Sequence, residues 1–322
     1  MSESTVIKNE ETAVSNENAV IKNEKAEKPG SSLMKGAFLT IFGGILWGFS
    51  GTCGQFLMQG KGLTSNWLVP HRLLLAGSIL LIICYLRMGK HILDIWKQDA
   101  KSIVIFGIFG MSMCQYTYFT AISASNAGTA TVLQYLGPVL IMVLFSVLDR
   151  HLPRPIELIA LGLAVLGTFL LATHGNPRSM VLSKEALFWG LLAAVALVIY
   201  TVQPAKMLDQ YGSQLVSAWG MLIGGVMLMI IFRPWSIPVK IDGQVVAGLA
   251  AIVVFGTVIS FSAYLEGVRV VGPKKGSLFA SVEPVAASIF SVVWMHVEFG
   301  IVDILGFVCI ISTIFLLSVD KN

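Results

Sequence analysis

The sequence predicts an all-α polytopic membrane protein with ten transmembrane helices, arranged as two inverted five-helix repeats. Three observations predict this fold: the composition, the number of long apolar stretches, and a weak internal repeat. Of the 322 residues, 55% are hydrophobic and only 12% are charged, whereas soluble domains carry roughly 25% charged residues. Because hydrocarbon disfavours charges and favours apolar runs, this composition excludes an ordinary soluble protein.

Residues 1–32 differ from the rest of the chain. They are rich in Glu, Lys, Asn and Ser, and they contain the pentapeptide VIKNE twice, at 6–10 and 20–24. Such a segment buries too little apolar surface to offset the entropy of ordering, so we expect a disordered cytoplasmic tail. The predicted domains are therefore this tail and two five-helix units, at 33–175 and 176–322.

Ten stretches are apolar enough and long enough to cross a bilayer as helices, which need about 20 residues each. Helices are required because backbone in contact with lipid must satisfy its own hydrogen bonds. The predicted spans are 36–57, 66–86, 102–122, 126–147, 155–173, 185–203, 213–232, 243–266, 273–294 and 300–319.

The loop charges predict the orientation of these spans. If both termini are cytoplasmic, sixteen of the 22 Lys and Arg residues fall in inside segments and five fall in outside loops, with Arg72 inside a helix. The positive-inside rule therefore predicts that both termini face the cytoplasm. We expect the protein in the plasma membrane of a bacterial cell.

The two halves resemble each other when the chain is shifted by 146 residues. Tyr118 then aligns with Tyr264 in the third span of each half, and Pro138 aligns with Pro284 in the fourth. Small residues precede each proline. Because each half holds an odd number of spans, the second copy must insert upside down, as in many secondary transporters.

The four cysteines, at 53, 84, 114 and 309, form no CxxC pair and have no metal-ligand spacing with histidine. We interpret them as small apolar residues packed between helices. No metal, cofactor or nucleic-acid partner is expected.

Several local patterns resemble the EamA family of the drug/metabolite transporter superfamily. They are GGILWG at 43–48, Arg72 early in the second span, the small residues before Pro138 and Pro284, Glu157-Leu-Ile-Ala with Gly162 and Gly167, and Asp303-Ile-Leu-Gly306. The resemblance covers 36–319. It implies a central cavity lined by the first, third, fourth, sixth, eighth and ninth helices, with the fifth and tenth peripheral.

The resemblance also implies a function, because relatives export amino acids and other small metabolites or carry nucleotide sugars. We therefore predict a secondary transporter, an exporter of small metabolites such as amino acids, that works by alternating access around a midplane cavity. An uncoupled facilitator or channel is the alternative. A membrane enzyme is the rival from another class, but no HExxH motif and no nucleophile–base pair occurs at plausible depth.

Glu283 is the strongest candidate for a transport role, because a charge near the centre of a span costs at least about 2.5 kcal/mol. Its counterpart in the first half is Gly137, so the repeat does not require an acid there. The carboxyl group could couple transport to protons or cations, could bind a substrate amine, or could be a packing contact held protonated. Pro284 and Pro138 each free a carbonyl one turn earlier, which either faces the cavity or accompanies a packing kink.

Arg72 needs a partner if it is buried, and Glu283 is one candidate. Snorkelling to the interface and structural support are the alternatives. His71 beside it could titrate near neutral pH. Polar and aromatic residues on the expected lining helices are either cavity walls or interhelical contacts: Trp47, Gln115, Tyr118, Gln134, Tyr135, Tyr200, Gln203, Tyr264 and Ser281.

Overall fold

The computed structural model describes residues 29–148, 150, 154–176, 181–271, 276 and 279–319, and all regular elements within these ranges are helical. Eight helices are long and apolar enough to cross a membrane, and two shorter apolar helices follow them. We number these ten elements α1–α10. The predicted tail lies largely outside the described residues, and helix α1 begins at Pro29, inside the range predicted for the tail.

Most bounds of the elements lie within a few residues of the predicted spans, but α1 begins at Pro29 rather than 36 and α9 begins at Val282 rather than 273. The elements are α1 (Pro29–Gln55), α2 (Ser65–Met88), α3 (Ala100–Ala124), α4a (Ala127–Gln134), α4b (Gly137–Leu148), α5 (Pro155–Thr173), α6 (Lys184–Val202), α7 (Ser213–Phe232), α8 (Gly243–Val271), α9 (Val282–Met295) and α10 (Ile301–Val319). Short helices Asp94–Gln98 and Ala205–Tyr211 lie in two of the connections.

Irregular backbone recurs at equivalent places in the two halves. The third helix of each half contains a π-helical segment, Phe106–Ser112 in α3 and Val254–Ile259 in α8. The fourth helix of each half is interrupted, at Tyr135 and Leu136 between α4a and α4b and at Ser281 just before α9. Tyr135 and Ser281 are 146 residues apart, so the interruptions of the fourth helices follow the same offset as the sequence repeat.

The last helix of each half begins with the same cap. Glu157 Oε2 accepts a hydrogen bond from the backbone N–H of Arg154 at 2.7 Å, and Asp303 Oδ2 accepts one from Gly300 at 2.9 Å. An acid at the third helical position that reaches back to the N-cap N–H satisfies one of the unpaired donors at a helix start. These pairs are also 146 residues apart.

Helix α1 packs against the second half of the chain through its glycines. A Cβ on Gly43 would lie 3.0 Å from the carbonyl oxygen of Ser260 in α8. A Cβ on Gly48 would lie 2.7 Å from the backbone nitrogen of Ala287 in α9. Small residues allow two helix backbones to approach this closely.

Helix α6, the first helix of the second half, makes the converse contacts with the first half. A Cβ on Gly190 would lie 3.0 Å from Leu133 Cβ in α4a, and Trp189 packs edge-on against Tyr116 of α3 at 5.8 Å. Two further helix pairs also join the halves, α2 with α7 and α5 with α10. The core is therefore built mainly from contacts between helices of different halves.

Candidate functional site

The break before α9 brings a carboxyl group, a proline and a phenol together. Pro284 has no N–H, so the carbonyl of Ala280, four residues earlier, lacks its helical donor. The hydroxyl of Tyr135, at the break of α4, lies 3.2 Å from this carbonyl oxygen and 3.0 Å from Glu283 Oε2. The hydroxyl can donate to either acceptor. The two interrupted helices thus meet through one side chain.

Glu283 occupies the first turn of α9 and is half-buried. The exposed N–H groups at a helix start carry a partial positive charge, which favours a carboxylate at this position. The α9 backbone beside it packs closely on α1, where a Cβ on Gly48 would lie 2.9 Å from the Glu283 carbonyl oxygen. The Glu283 carboxyl group therefore lies where α9 packs closely on α1, and Tyr135 at the break of α4 contacts it.

Arg72 is buried, with only 5% of its surface exposed, so it does not snorkel to an interface. Its Nη1 donates to Gln115 Oε1 at 2.8 Å and its Nη2 donates to Thr257 Oγ1 at 3.4 Å. The guanidinium also lies 4.7 Å from the centre of the Phe119 ring. Glu283, the partner considered from the sequence, makes no ion pair with Arg72 in the described structure.

Side chains of α3 and α4 connect the surroundings of Arg72 with those of Glu283. Gln134 Nε2 approaches Cys114 Sγ at 3.5 Å, and Cys114 precedes the Gln115 that holds Arg72. Tyr118 is buried, and its hydroxyl lies 2.8 Å from Thr131 Oγ1. Tyr118 and Gln134 therefore link α3 to α4a beside the break.

An aromatic cluster forms where α1 packs against α8. The Trp47 ring packs against Tyr264 at 5.0 Å and against Phe261 at 5.2 Å between ring centres. Trp47 Nε1 is buried and makes no hydrogen bond to a described residue. Ser281 is buried at the turn before α9. Trp47 and Tyr264 thus form a wall contributed by the first and third helices of opposite halves.

Three further predicted site residues make no direct contact with Glu283 or with the Arg72 guanidinium in the described structure. Tyr200 packs on Phe106 at 5.6 Å, beside the π segment of α3. Gln203 Nε2 donates to the carbonyl of Ser102 at 3.1 Å, which ties the end of α6 to α3. His71 stacks on Trp67 at 4.2 Å and contacts its carbonyl oxygen at 2.7 Å.

Three residues of the site, Thr257, Phe119 and Thr131, are not predicted from the sequence. Thr257 hydroxyl donates to the carbonyl of Ile252 at 3.1 Å, five residues earlier, and accepts from Arg72. This geometry depends on the π-helical segment, which no residue pattern announced. The only sequence signal is the polar residue itself, placed next to Gly256 within an otherwise apolar run.

At one end of the bundle, contacts join the two halves around the end of α1. Gln55 is 1% exposed, and its Oε1 accepts from the backbone N–H of Ala127 at 2.9 Å and from Ser291 Oγ at 3.4 Å. Lys61 forms a 2.9 Å ion pair with Asp242. That ion pair, with the Val245 N–H, holds the pKa of Asp242 below its usual value.

Metal binding finds no support in the described ranges, where no group of three or more His, Cys, Asp or Glu side chains is placed to hold an ion. The four cysteines are free, and Cys309 alone is only half-buried. The site therefore offers one carboxyl group, one guanidinium, amides, phenols and an indole, which suit binding of a small polar solute.

These features define an integral membrane protein whose broken helices meet at a buried polar site, the architecture of a membrane transporter. The chain belongs to the EamA-like transporter family, whose model matches it twice, at residues 34–173 and 184–319. The predicted family membership is thereby confirmed. These matches also indicate a transporter rather than an enzyme.

Several relatives are transporters by name. The chain is 36% identical over 293 residues to the uncharacterized inner membrane transporter YicL of Salmonella typhimurium, covering 90% of this chain and 97% of YicL. It is 25% identical to the uncharacterized transporter YetK of Bacillus subtilis, covering 78% of this chain and 77% of YetK. A chloroplastic WAT1-related protein of Arabidopsis thaliana is 24% identical, with coverage of 85% and 68%.

A solved crystal structure shares the fold. It superposes with a TM-score of 0.61 at 16% identity, covering 87% of this chain and 97% of the other.

Proposed function

We propose that the chain is a secondary transporter that exports small metabolites such as amino acids across the bacterial plasma membrane. Its ten helices form two inverted five-helix units, at 33–175 and 176–322, with both termini and the tail in the cytoplasm. The 146-residue offset shared by the helix breaks and the caps, together with a π segment in the third helix of each half, supports two copies of one unit. The odd helix number per unit and the loop charges support the inversion.

The observation that carries the proposal is the contact of Tyr135 with Glu283 and the Ala280 carbonyl. Interrupted helices place backbone acceptors and helix ends at the depth where transporters bind their substrates and coupling ions. A carboxyl group at that position can take up a proton on one side of the membrane and release it on the other. Glu283 is therefore the proposed coupling residue.

Alternating access requires the halves to separate at one end while they close at the other. The end that holds Gln55 and the Lys61–Asp242 pair is closed, and α4a packs on α9 there: a Cβ on Gly128 would lie 2.9 Å from Ser288 Oγ. Helix α4b, towards the opposite end, makes its main described contacts with α5, α6 and α10. With cytoplasmic termini, the closed end is the external one.

Proteoliposome transport with and without a pH gradient tests the coupling role. We expect a gradient to drive net flux of labelled amino acids by the wild type. In Glu283→Gln, net flux should no longer depend on the pH gradient, but substrate should still exchange in counterflow. Glutamine has nearly the same shape as glutamate but cannot bind and release a proton. Glu185→Gln, at the start of α6 and outside the site, is the matched control. Wild-type flux that ignores the gradient would identify an uncoupled facilitator.

Cysteine labelling tests the orientation. In a variant without the four native cysteines, Lys90→Cys should react with a membrane-impermeant maleimide only after the cells are permeabilised. Lys61→Cys should react in intact cells. The reverse pattern would overturn the proposed orientation.

A further inference from the structure

Among the residues that the structure describes, no carboxylate forms an ion pair with the buried Arg72 guanidinium. All of its described contacts are with neutral groups, the Gln115 amide, the Thr257 hydroxyl and the Phe119 ring. Burying a charge costs several kcal/mol, and proteins normally offset that cost with an opposite charge. The neutral cluster orients Arg72, and the one carboxyl group that interacts with its charge, Glu283, does so without forming an ion pair in the described structure.

The neutral groups hold the guanidinium in one orientation. Thr257 is fixed by its own hydrogen bond to the Ile252 carbonyl at 3.1 Å, so its hydroxyl oxygen is presented to Nη2. Gln115 and Phe119 are one turn apart on α3 and contact the guanidinium with an amide and a ring face. A guanidinium has more N–H donors than these two acceptors can use. It is therefore positioned in advance to bind an anion.

A series of side-chain contacts links Arg72 in α2 to Glu283 in α9 through α3 and α4. Gln115 contacts Arg72, its neighbour Cys114 contacts Gln134, and the next residue, Tyr135, contacts Glu283. Arg72 and Glu283 both interact electrostatically with Tyr118. This series of contacts thus has the Arg72 guanidinium at one end and the Glu283 carboxyl group at the other.

We propose that Arg72 binds the anionic group of the transported metabolite, a carboxylate, and so selects substrates that carry one. This inference rests on the proposed transport function and adds the substrate class. A planar carboxylate pairs with a guanidinium through two parallel hydrogen bonds. The substrate carboxylate supplies the direct ion-pair partner that the described residues do not, so binding compensates the buried cation.

Competition in proteoliposomes tests this assignment with three compounds of the same carbon skeleton. The probe is counterflow of labelled leucine, and the competitors are leucine, leucinamide and 4-methylpentanoate. Leucinamide lacks the carboxylate, and 4-methylpentanoate lacks the amine. In the wild type, leucinamide should compete at least about tenfold more weakly than leucine, because a site built for a polar group rejects the analogue that lacks it.

Arg72→Gln should bring the leucine-to-leucinamide ratio close to one, and Arg72→Lys should restore it in part. Arg87→Gln, at the exposed end of α2, is the control and should keep the wild-type ratio. If leucinamide competes as well as leucine in the wild type, the assignment is wrong. If Arg72→Gln weakens all competitors equally and keeps the ratio, Arg72 is only structural and the assignment is also wrong.

A thermal-shift measurement on detergent-purified protein separates this inference from the transport proposal. Absence of counterflow with any labelled amino acid would overturn the proposed substrate group. In that case, stabilisation by 4-methylpentanoate that disappears in Arg72→Gln would still support an anion site at Arg72. Absence of any shift would overturn the assignment as well.

Discussion

Tyr135 and Glu283 lie at the breaks of two helices from opposite halves, and a 3.0 Å hydrogen bond joins them. The same hydroxyl reaches the Ala280 carbonyl that Pro284 leaves without a donor. The Tyr135 hydroxyl is therefore within hydrogen-bonding distance of both the Ala280 carbonyl and the Glu283 carboxyl group. Any rearrangement that moves α4 relative to α9 must alter both contacts together.

Tyr135→Phe should lower both stability and transport. The variant keeps the ring but leaves the Ala280 carbonyl and Glu283 without this donor, which costs about 1 kcal/mol for a typical hydrogen bond. We expect a lower unfolding temperature in detergent and a several-fold slower counterflow. Tyr85→Phe, whose residue is 53% exposed, is the matched control. Identical behaviour of the two variants would show that the Tyr135 hydroxyl is dispensable.

Gly48→Ala should destabilise the contact of α1 with α9. The added Cβ would lie 2.7 Å from the Ala287 nitrogen and 2.9 Å from the Glu283 carbonyl oxygen, and backbone atoms cannot move aside cheaply. Overpacking of this kind typically costs about 1–3 kcal/mol. The measurement is thermal unfolding of the purified protein.

Gly162→Ala is the control for that experiment, because no atom lies within 4 Å of the Cβ it would add. Alanine is the better helix former by about 1 kcal/mol, so this variant should be as stable as the wild type or more so. Equal losses in both variants would contradict the packing argument.

The Lys61–Asp242 pair should make stability depend on pH at the acidic end. The lowered pKa of Asp242, caused first by its hydrogen bond with Lys61, means that the folded state favours the charged carboxylate. Its contribution is present above the usual carboxyl pKa of about 3.9 and is lost as pH falls through the lowered pKa. Thermal unfolding between about pH 2 and pH 6 measures it.

Asp242→Asn should flatten this part of the pH profile, since the amide cannot titrate but can still cap the Val245 N–H. The exposed Asp209→Asn is the control and should leave the profile unchanged. The difference between Asp242→Asn and the wild type should shrink in high salt, because the pair is accessible to solvent. A profile that Asp242→Asn does not alter would assign the acid dependence to other carboxylates.

The helix positions could be predicted from the sequence because length and hydropathy determine them. The predictions for 155–173 and 213–232 agree with α5 and α7 at both ends. Proline at the first position of α5, and a glycine before α7 with an arginine after it, mark those ends. Helix α1 starts earlier than predicted, at Pro29, because helical backbone continues beyond the apolar run.

The site could be predicted only in part. Hydropathy gives the depth of a residue but not the face of the helix it occupies. The sequence therefore groups Gln203 with Gln134, whereas in the structure Gln203 donates to the Ser102 carbonyl. The partners of Arg72 depend on the π segment in α8, whose extra residue per turn rotates Thr257 towards it. Local sequence carries almost no signal for such a segment.

Because of the packing of α1 and α6, the two halves of the sequence do not correspond to two separately packed groups of helices. The first helix of each half packs against the other half: α1 contacts α8 and α9, and α6 contacts α3 and α4a. A gene cut near residue 176 would yield two fragments, each missing one helix of its own bundle and carrying one of its neighbour's. Neither fragment should be autonomous, whereas the two produced together should reconstitute the transporter. The groups of helices that pack together thus combine members of both family matches rather than coinciding with either one.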